Sequence, residues 1–533
     1  MINIVDLVKK FFKLFTKTQW IILISIVGLY FLSRLTRLDG FPIFSDEGIY
    51  IRWAKVAWKD ASWRFISLTD GRQPLQTWAT IPFLKIFETN ALVAGRLFAV
   101  SSGFISLVGI LTVSRYLFGA PSALIAGFLY VVTPYFLFYD RIALVDSAVN
   151  ASTIWMFFLS IVLARTRRLD IAMILGVVSG LALLAKSSLR LYLGLSALAV
   201  IFIIFSDPES TLRSYIASLK SIFMRSAEKR QKIQEVISFY ALYIVSAVFA
   251  VLIYNIQRLS PFMHFVEEKN KTFILTKAEL LADPFNYFSH NIVNMPYYIF
   301  SETAYVVAFL GIVGLYVMYK KHKQEAIYFT MWLVTAMLSI SLVARVLFPR
   351  YVLSLGGLLI LPAAYFISEI KSIKYRYVTI LCVLLSVAYF NYTIIFDYAK
   401  IPFPSVDRGQ YLEGWPAGWG AKEIMMYARE QSLSKPVLII AEGNFGMSHD
   451  VLDTFMKPGD RISIQPYWPL DKEQLIENQK NIGAQDVYVV FAHRREFPSD
   501  WPIELVKQYD KPGNESELFL FRLLPAIALP SNQ

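Results

Sequence analysis

The sequence predicts a polytopic α-helical membrane protein with a C-terminal extracytoplasmic α/β domain. Three observations carry that expectation. Of 533 residues, 56% are hydrophobic and only 17% charged, against about 25% charged in an average soluble domain. The apolar residues gather in runs close to membrane-spanning length, and mean hydropathy is +0.48. The charge divides along the chain: from Asp397 onward 14 Lys and Arg face 19 Asp and Glu, a net of −5, which leaves +17 on the first 396 residues. The basic excess therefore belongs to loops between apolar runs, where topology and anionic lipid account for it, and not to nucleic-acid binding. Disorder and a cysteine-stapled scaffold are excluded. The single cysteine, Cys382, lies in an apolar run, so no intrachain disulfide can form.

Eleven spans are expected, near 20–33, 92–113, 120–138, 148–164, 171–185, 191–205, 237–256, 297–318, 326–344, 351–368 and 377–396. Each approaches the roughly 20 apolar residues that cross a bilayer. The first is short and can borrow residues from 11–19. Its basic leader (Lys9, Lys10, Lys13, Lys17) is not followed by a small-residue cleavage site, so an uncleaved anchor is expected. With the N-terminus inside, the inner segments 1–20, 114–119, 165–170, 206–236, 319–325 and 370–376 carry 20 Lys and Arg in 77 residues. The outer loops 34–90, 139–147, 186–190, 257–296 and 345–350 carry 17 in 117. That density bias sets the orientation and places the tail outside the cytoplasmic membrane. The basic segment 206–236 reads as an amphipathic helix on anionic lipid.

The domains expected are therefore a membrane part, 1–396, and an extracytoplasmic tail, 397–533. The tail alternates β-rich runs (437–440, 461–465, 486–491, 518–523) with helical patterns (421–430, 449–456, 472–479), which points to a small open α/β domain. The glycines between Gly414 and Gly420 form no dinucleotide fingerprint and read as a loop against the membrane part. No P-loop is present. The five histidines are scattered without HExxH, and no Gly-x-Ser-x-Gly elbow occurs.

The first outer loop, 34–90, carries the densest chemistry. Adjacent acids, Asp46 and Glu47, follow the first span and open a helical stretch. Its Trp53 face and its Arg52, Lys55 and Lys59 face suit a helix in the headgroup layer. A carboxylate there can act as general base on an acceptor, or Asp46 can simply cap the helix. Other ionisable residues gather at outer span ends: Arg72, Arg96, Arg141 and Asp146, Lys186 and Arg190, Arg345 and Arg350 beside Tyr351. Snorkelling explains any one of these bases. Together they form a basic cluster beside carboxylates and open to lipid, which suits a lipid-linked phosphate held and stabilised as leaving group.

These motifs resemble the GT-C-type integral membrane glycosyltransferases, in particular the bacterial protein O-mannosyltransferase family and the lipid A aminoarabinose transferases. The resemblance covers most of residues 20–370. It rests on Asp46-Glu47, Arg72-Gln73-Pro74…Trp78, Arg141…Asp146, the run from Gly180 to Lys186, and Arg350-Tyr351. Relatives often show Lys-Pro-Pro…Trp at the second motif, so Gln73 departs from the pattern. The resemblance implies a polyprenyl-phosphate-linked sugar donor and transfer at the outer face to a protein, lipid or glycan acceptor. It implies Asp46 as catalytic base, Glu47 as an orienting group or metal ligand, and Asp146 as support for the base or the sugar. Arg72, Arg141, Lys186, Arg190 and Arg350 would hold the donor phosphate, and Tyr351 the prenyl chain. Direct displacement with inversion is implied, and a divalent metal is left open. The alternative is a transporter or flippase of lipid-linked sugars. Transporters usually place their ionisable residues near the midplane, whereas here they gather at one face.

Overall fold

The computed structural model describes residues 15–204 and 227–526. The basic segment 206–236 therefore lies mostly outside the described residues, as do Lys9, Lys10 and Lys13. Helix α1 (Lys17–Leu35) starts at a capping box in which Thr16 and Gln19 satisfy each other's backbone amides. The chain then forms α2 (Ser45–Lys59), α3 (Leu75–Ile86), α4 (Ala91–Phe118), α5 (Ala120–Val132) and α6 (Pro134–Tyr139). Next come α7 (Asp146–Thr166), α8 (Leu169–Ala185), α9 (Leu189–Ser196) and α10 (Ala227–Tyr254). The helical part ends with α11 (Phe288–Glu302), α12 (Val306–Lys321), α13 (Lys323–Val343), α14 (Leu353–Glu369) and α15 (Ile373–Phe396).

Among the described residues seven helices are long and apolar enough to cross a membrane, and an eighth crossing arises if α11 and α12 act as one. Three shorter apolar stretches, Ala120–Val132, Leu169–Ala185 and Leu189–Ile204, fall where spans were expected. Burial sorts the helices into layers. The best apolar windows of α14 and α7 are 83% and 78% buried, whereas those of α1 and the Arg230–Leu259 helix are 17% buried. The first pair forms the centre of the bundle; the second presents Ile, Leu and Val outward, as a lipid-facing helix does. Backbones come closest where side chains are absent. A Cβ on Gly176 would lie 2.8 Å from the Ser246 carbonyl oxygen, and one on Gly180 would strike Ile253. This small-xxx-small stripe lets α8 seat against α10.

The expected span 297–318 is not one helix. α11 and α12 meet at 111°, and the break falls where Ala304 and Tyr305 both take positive φ, 53° and 60°. Hydrophobicity runs straight through the junction, so pattern alone does not register the bend.

The tail forms helices α16 (Ala421–Gln431), α17 (His449–Thr454) and α18 (Lys472–Asn478) around a five-stranded sheet. Its order is β4 (Ile462–Tyr467), β3 (Val437–Glu442), β5 (Asp486–Phe491), β7 (Glu517–Leu523), β6 (Ile503–Asp510). The pairs β3–β4 and β3–β5 are parallel; β5–β7 and β6–β7 are antiparallel. Strand β3 is buried throughout and reads as an apolar run up to its last residue, Glu442, as a central parallel strand should. Edge strand β6 is largely exposed, and its weak alternation gave no strand signal in the sequence.

The sheet domain is stitched to the helical part through α2. Strand β1 (Ile43–Phe44) pairs antiparallel with β2 (Ala417–Gly418), so the loop from Gly414 to Gly420 packs where it was expected. Arg52 and Lys55 do not face headgroups: they pair with Asp450 and Asp453 on α17. Gly48 is the contact point, because a Cβ there would lie 2.8 Å from the Val451 amide nitrogen. Helix α2 is thus clasped between protein layers.

The loop leading into α2 is fixed by one buried ion pair. Arg96, near the start of α4, meets both carboxylate oxygens of Glu47 at 2.8 Å, and both side chains are fully buried. Its Nη1 also donates to the Leu38 and Phe41 carbonyls. Removing one partner of such a pair leaves an uncompensated buried charge, at a cost of about 3–5 kcal/mol. Arg96→Met is therefore expected to lower the thermal unfolding midpoint of the purified protein clearly, or to prevent its accumulation. An unchanged midpoint would contradict this role.

Candidate active site

Asp46 is the second residue of α2, one position inside the helix. The N-cap position is Phe44, and the carboxylate that reaches back to the Phe44 amide is Glu47, at 2.9 Å. Asp46 is thus released from capping duty and points elsewhere. Its Oδ2 lies 3.6 Å from Arg72 Nη1 and 3.4 Å from Arg350 Nη2. Its side chain keeps 16% exposure, enough to face a substrate. Burial pushes the Asp46 carboxyl up, but Arg72 and Arg350 outweigh it and hold the group below its ordinary range. An ionised carboxylate at a helix N-terminus is also favoured by the helix dipole.

Each guanidinium is itself positioned. Arg72 donates to Tyr50 OH at 2.9 Å and to Asp70 at 3.1 Å, and Lys269 reaches the other oxygen of Asp70 at 2.7 Å. Arg350, 9% exposed, lies over the rings of Phe44, Phe348 and Tyr351. The next pair along is Asp146, in the first turn of α7, bound by Lys186 Nζ at 2.8 Å. Lys186 sits 4.3 Å from the centre of the Tyr351 ring, so Tyr351 joins the two ion pairs. Gln73, the departure from the relatives' proline, donates its amide to Ser187 Oγ at 3.0 Å. That contact ties the 72–74 turn to the loop carrying Lys186.

The structure therefore brings together Asp46, Arg72, Arg350, Tyr351, Lys186 and Asp146. Three expected residues stand apart. Both Glu47 oxygens are filled by Arg96 and by the Phe44 and Ala143 amides. That carboxylate does not fit a metal ligand, and among the described residues no three His, Cys, Asp or Glu side chains converge. Arg141 donates to the carbonyls of Ser33, Arg34, Thr36 and Arg37, which terminates α1 instead of facing a phosphate. Arg190 bonds Tyr254 OH at 2.7 Å and lines a separate cleft of about 550 Å³ with Arg258 and His264.

Sequence reasoning missed Tyr50, Asp70 and Lys269, and a buried group behind Arg350. Tyr411 OH lies 3.5 Å from Arg350, and Tyr139 OH donates to Asp407 at 2.5 Å. Burial pushes the Asp407 carboxyl up to about 7, with Tyr139 and Arg350 pulling the other way. The Asp70-Gly71-Arg72 spacing was a usable signal for Asp70. Lys269 and Asp407 carry none, since each reaches the cluster from a distant segment.

The family profile described as dolichyl-phosphate-mannose-protein mannosyltransferase matches residues 72–226. No curated protein matches the chain significantly in sequence. Among solved structures, ArnT from Cupriavidus metallidurans bound to undecaprenyl phosphate superposes with a TM-score of 0.59 at 12% identity, covering 95% of this chain and 98% of that one. The apo state of the same protein gives 0.55 at 12% identity, covering 94% and 98%. The chain has the GT-C fold of these structures.

The four carbonyl contacts of Arg141 have a measurable consequence. Charge-assisted hydrogen bonds of this kind each contribute about 1.5–3 kcal/mol. Arg141→Met is expected to lower the unfolding temperature by several degrees in detergent. An unmoved midpoint would contradict this structural role for Arg141.

Proposed function

We propose that this protein is an integral membrane glycosyltransferase that moves a sugar from a polyprenyl-phosphate donor to an acceptor. The observation that carries this reading is Asp46: a partly exposed, ionised carboxylate flanked by two guanidinium groups, with the Lys186–Asp146 pair joined to Arg350 through the Tyr351 ring. The GT-C fold and the mannosyltransferase profile support it, and so does the undecaprenyl phosphate bound by the structurally similar ArnT.

In this reading Asp46 takes the proton of the acceptor hydroxyl or amine as it attacks the anomeric carbon. Arg72, Arg350 and Lys186 face the phosphate and stabilise it as it leaves. Displacement is direct, so the anomeric configuration inverts. Asp146 orients Lys186 or a sugar hydroxyl, and the Tyr351 ring offers an apolar face to the first isoprene units. The cluster lies at the end of the bundle that carries the sheet domain. The lysine and arginine bias supports an orientation with that end outside the cytoplasmic membrane and the N-terminus inside. The chain divides at Asp397 into membrane and extracytoplasmic parts, which suits an acceptor arriving from outside.

A second reading, transport of a lipid-linked sugar, draws on the broken α11–α12 pair, because transporters build sites at discontinuous helices. Movement of labelled lipid across vesicles without a new glycosidic bond would favour it.

Asp46→Asn is expected to abolish transfer from a polyprenyl-phosphate sugar while leaving the unfolding temperature near that of the wild type. Full activity in this variant would remove the mechanism. The acid limb of kcat/KM reports the free base. Because Asp46 is held below its ordinary value of 3.8, activity should persist until the pH falls below that value. Arg350→Leu removes one of the two cations, so the limb should move to higher pH and the donor KM should rise more than the acceptor KM. An unmoved limb together with an unchanged donor KM would contradict the role of Arg350.

A further inference from the structure

The sheet of the tail has a crevice that the transfer mechanism does not use. From β3 the chain crosses to β4 on one side and then to β5 on the other, so the crossovers diverge at the carboxyl end of β3. Open α/β sheets bind ligands at such a point. Here three successive amides, those of Ala492, His493 and Arg494, converge at 2.9, 2.7 and 3.1 Å on one atom, Oε2 of Glu442. A run of backbone amides of this kind is an anion seat, and the protein's own carboxylate fills it. A nucleotide phosphate has no place there.

The rim is aromatic. Each loop beyond a parallel strand contributes one ring: Phe445 after β3, Trp468 after β4, His493 after β5. Trp415 joins them, 4.8 Å from the His493 ring, and Trp468 lies 5.4 Å from it. Trp468 is 60% exposed, Trp415 49% and Phe445 45%. The nearby cations are already paired, Arg494 with Asp471 and Arg495 with Glu517. Two of these segments reach the transfer site: beside Trp415 the Pro416 carbonyl accepts from the Ser45 amide at 2.9 Å, and the loop after β3 touches α2. Phe445 packs on Trp53 of α2, and the Met447 amide donates to Ser45 Oγ at 3.1 Å, one residue before Asp46.

We propose that Trp415, Trp468 and His493 form an acceptor subsite for a neutral sugar ring, so that the acceptor of the proposed transferase is a glycan or a glycosylated molecule. This deepens the proposed function and rests on it. A pyranose has an apolar C–H face and a polar rim. Exposed indole faces beside an imidazole match both. The exposed large apolar side chains of this rim, Trp415, Trp468 and Phe445, stand on polar loops of the sheet domain, whereas the exposed Tyr and Phe of α10, α12 and α15 stand among exposed Ile, Leu and Val on apolar helices. That contrast favours a sugar over the bilayer as occupant.

The test is binding, not transfer, so it fails independently of the transferase reading. Full-length protein in nanodiscs is examined by saturation-transfer NMR with maltotriose, mannotriose and chitotriose, and with uridine monophosphate and an Ala-Ser-Ala peptide. At least one trisaccharide should receive saturation, and the nucleotide and the peptide should not. Its Kd should rise about tenfold or more in Trp468→Ala and in Trp415→Ala, and return most of the way in Trp468→Phe. Unfolding temperatures matched to the wild type show that the variants are folded. The proposal is overturned if no trisaccharide binds, or if binding survives both alanine variants. It is also overturned if the alanine variants lose peptide binding instead, or if Trp468→Ala abolishes quenching by brominated lipid, which would place the rim in the bilayer.

Discussion

The Glu47–Arg96 pair is the constraint on which the site depends. It is fully buried and bidentate, and it reaches across the first long loop to the start of α4. A buried ion pair of this kind is weak evidence for stability, since desolvation offsets much of the Coulomb gain. Its effect here is positional. Arg96 gathers the carbonyls of Leu38, Phe41 and Pro42, and Glu47 gathers the amides of Phe44 and Ala143. The loop before α2 thereby has one conformation, and the helix starts at one residue. Were the start to slip by one position, the next side chain would point about 100° away on the helix, and Asp46 would no longer lie between Arg72 and Arg350.

Adjacent acids thus take opposite roles because the helix divides them. Glu47 turns inward, where its charge is cancelled by Arg96 and by backbone amides. Asp46 turns to the open side, where it meets cations from two different loops. Neither cation makes a close ion contact with it: 3.6 and 3.4 Å are separations that lower the carboxyl's affinity for a proton without closing the site. Arg72 is drawn back by Asp70 and Tyr50, and Arg350 by aromatic faces and Tyr411. In the proposed reading, an arriving phosphate can therefore compete for both guanidinium groups without first breaking a tight carboxylate pair.

Much of this was legible in the sequence, and the exceptions have physical causes. Hydrophobic runs locate helices well, because the bilayer demands about 20 apolar residues whatever the fold. They do not register the break between Glu302 and Val306, which is made by two backbone angles inside an apolar run. The grouping of Asp46, Arg72, Asp146, Lys186, Arg350 and Tyr351 could be anticipated because all lie at one end of the spans. Which basic residues face the cluster could not. Arg141 sits in the same short loop as Asp146, yet its guanidinium closes the end of α1. Lys269 and Asp407 come from segments with no motif, and only the folded chain brings them near. The polar stripe of α2 was read as facing headgroups, since Arg and Lys at that spacing suit water or lipid phosphate equally well. Asp450 and Asp453 were the unseen third choice.

The tail, which composition explains least, is joined to the chemistry by its contacts. α2 is held from below by Arg96 and from the other side by α17, with β1–β2 closing one end and Gly48 allowing close approach. A displacement of the sheet domain would pull on Ser45 through the Met447 amide and on Arg52 and Lys55 through α17. Those residues share a helix with Asp46, so the position of the carboxylate depends on the seating of the tail. Whatever engages the aromatic rim therefore acts one loop away from Asp46. The sheet domain is therefore in a position to set the geometry of the proposed base.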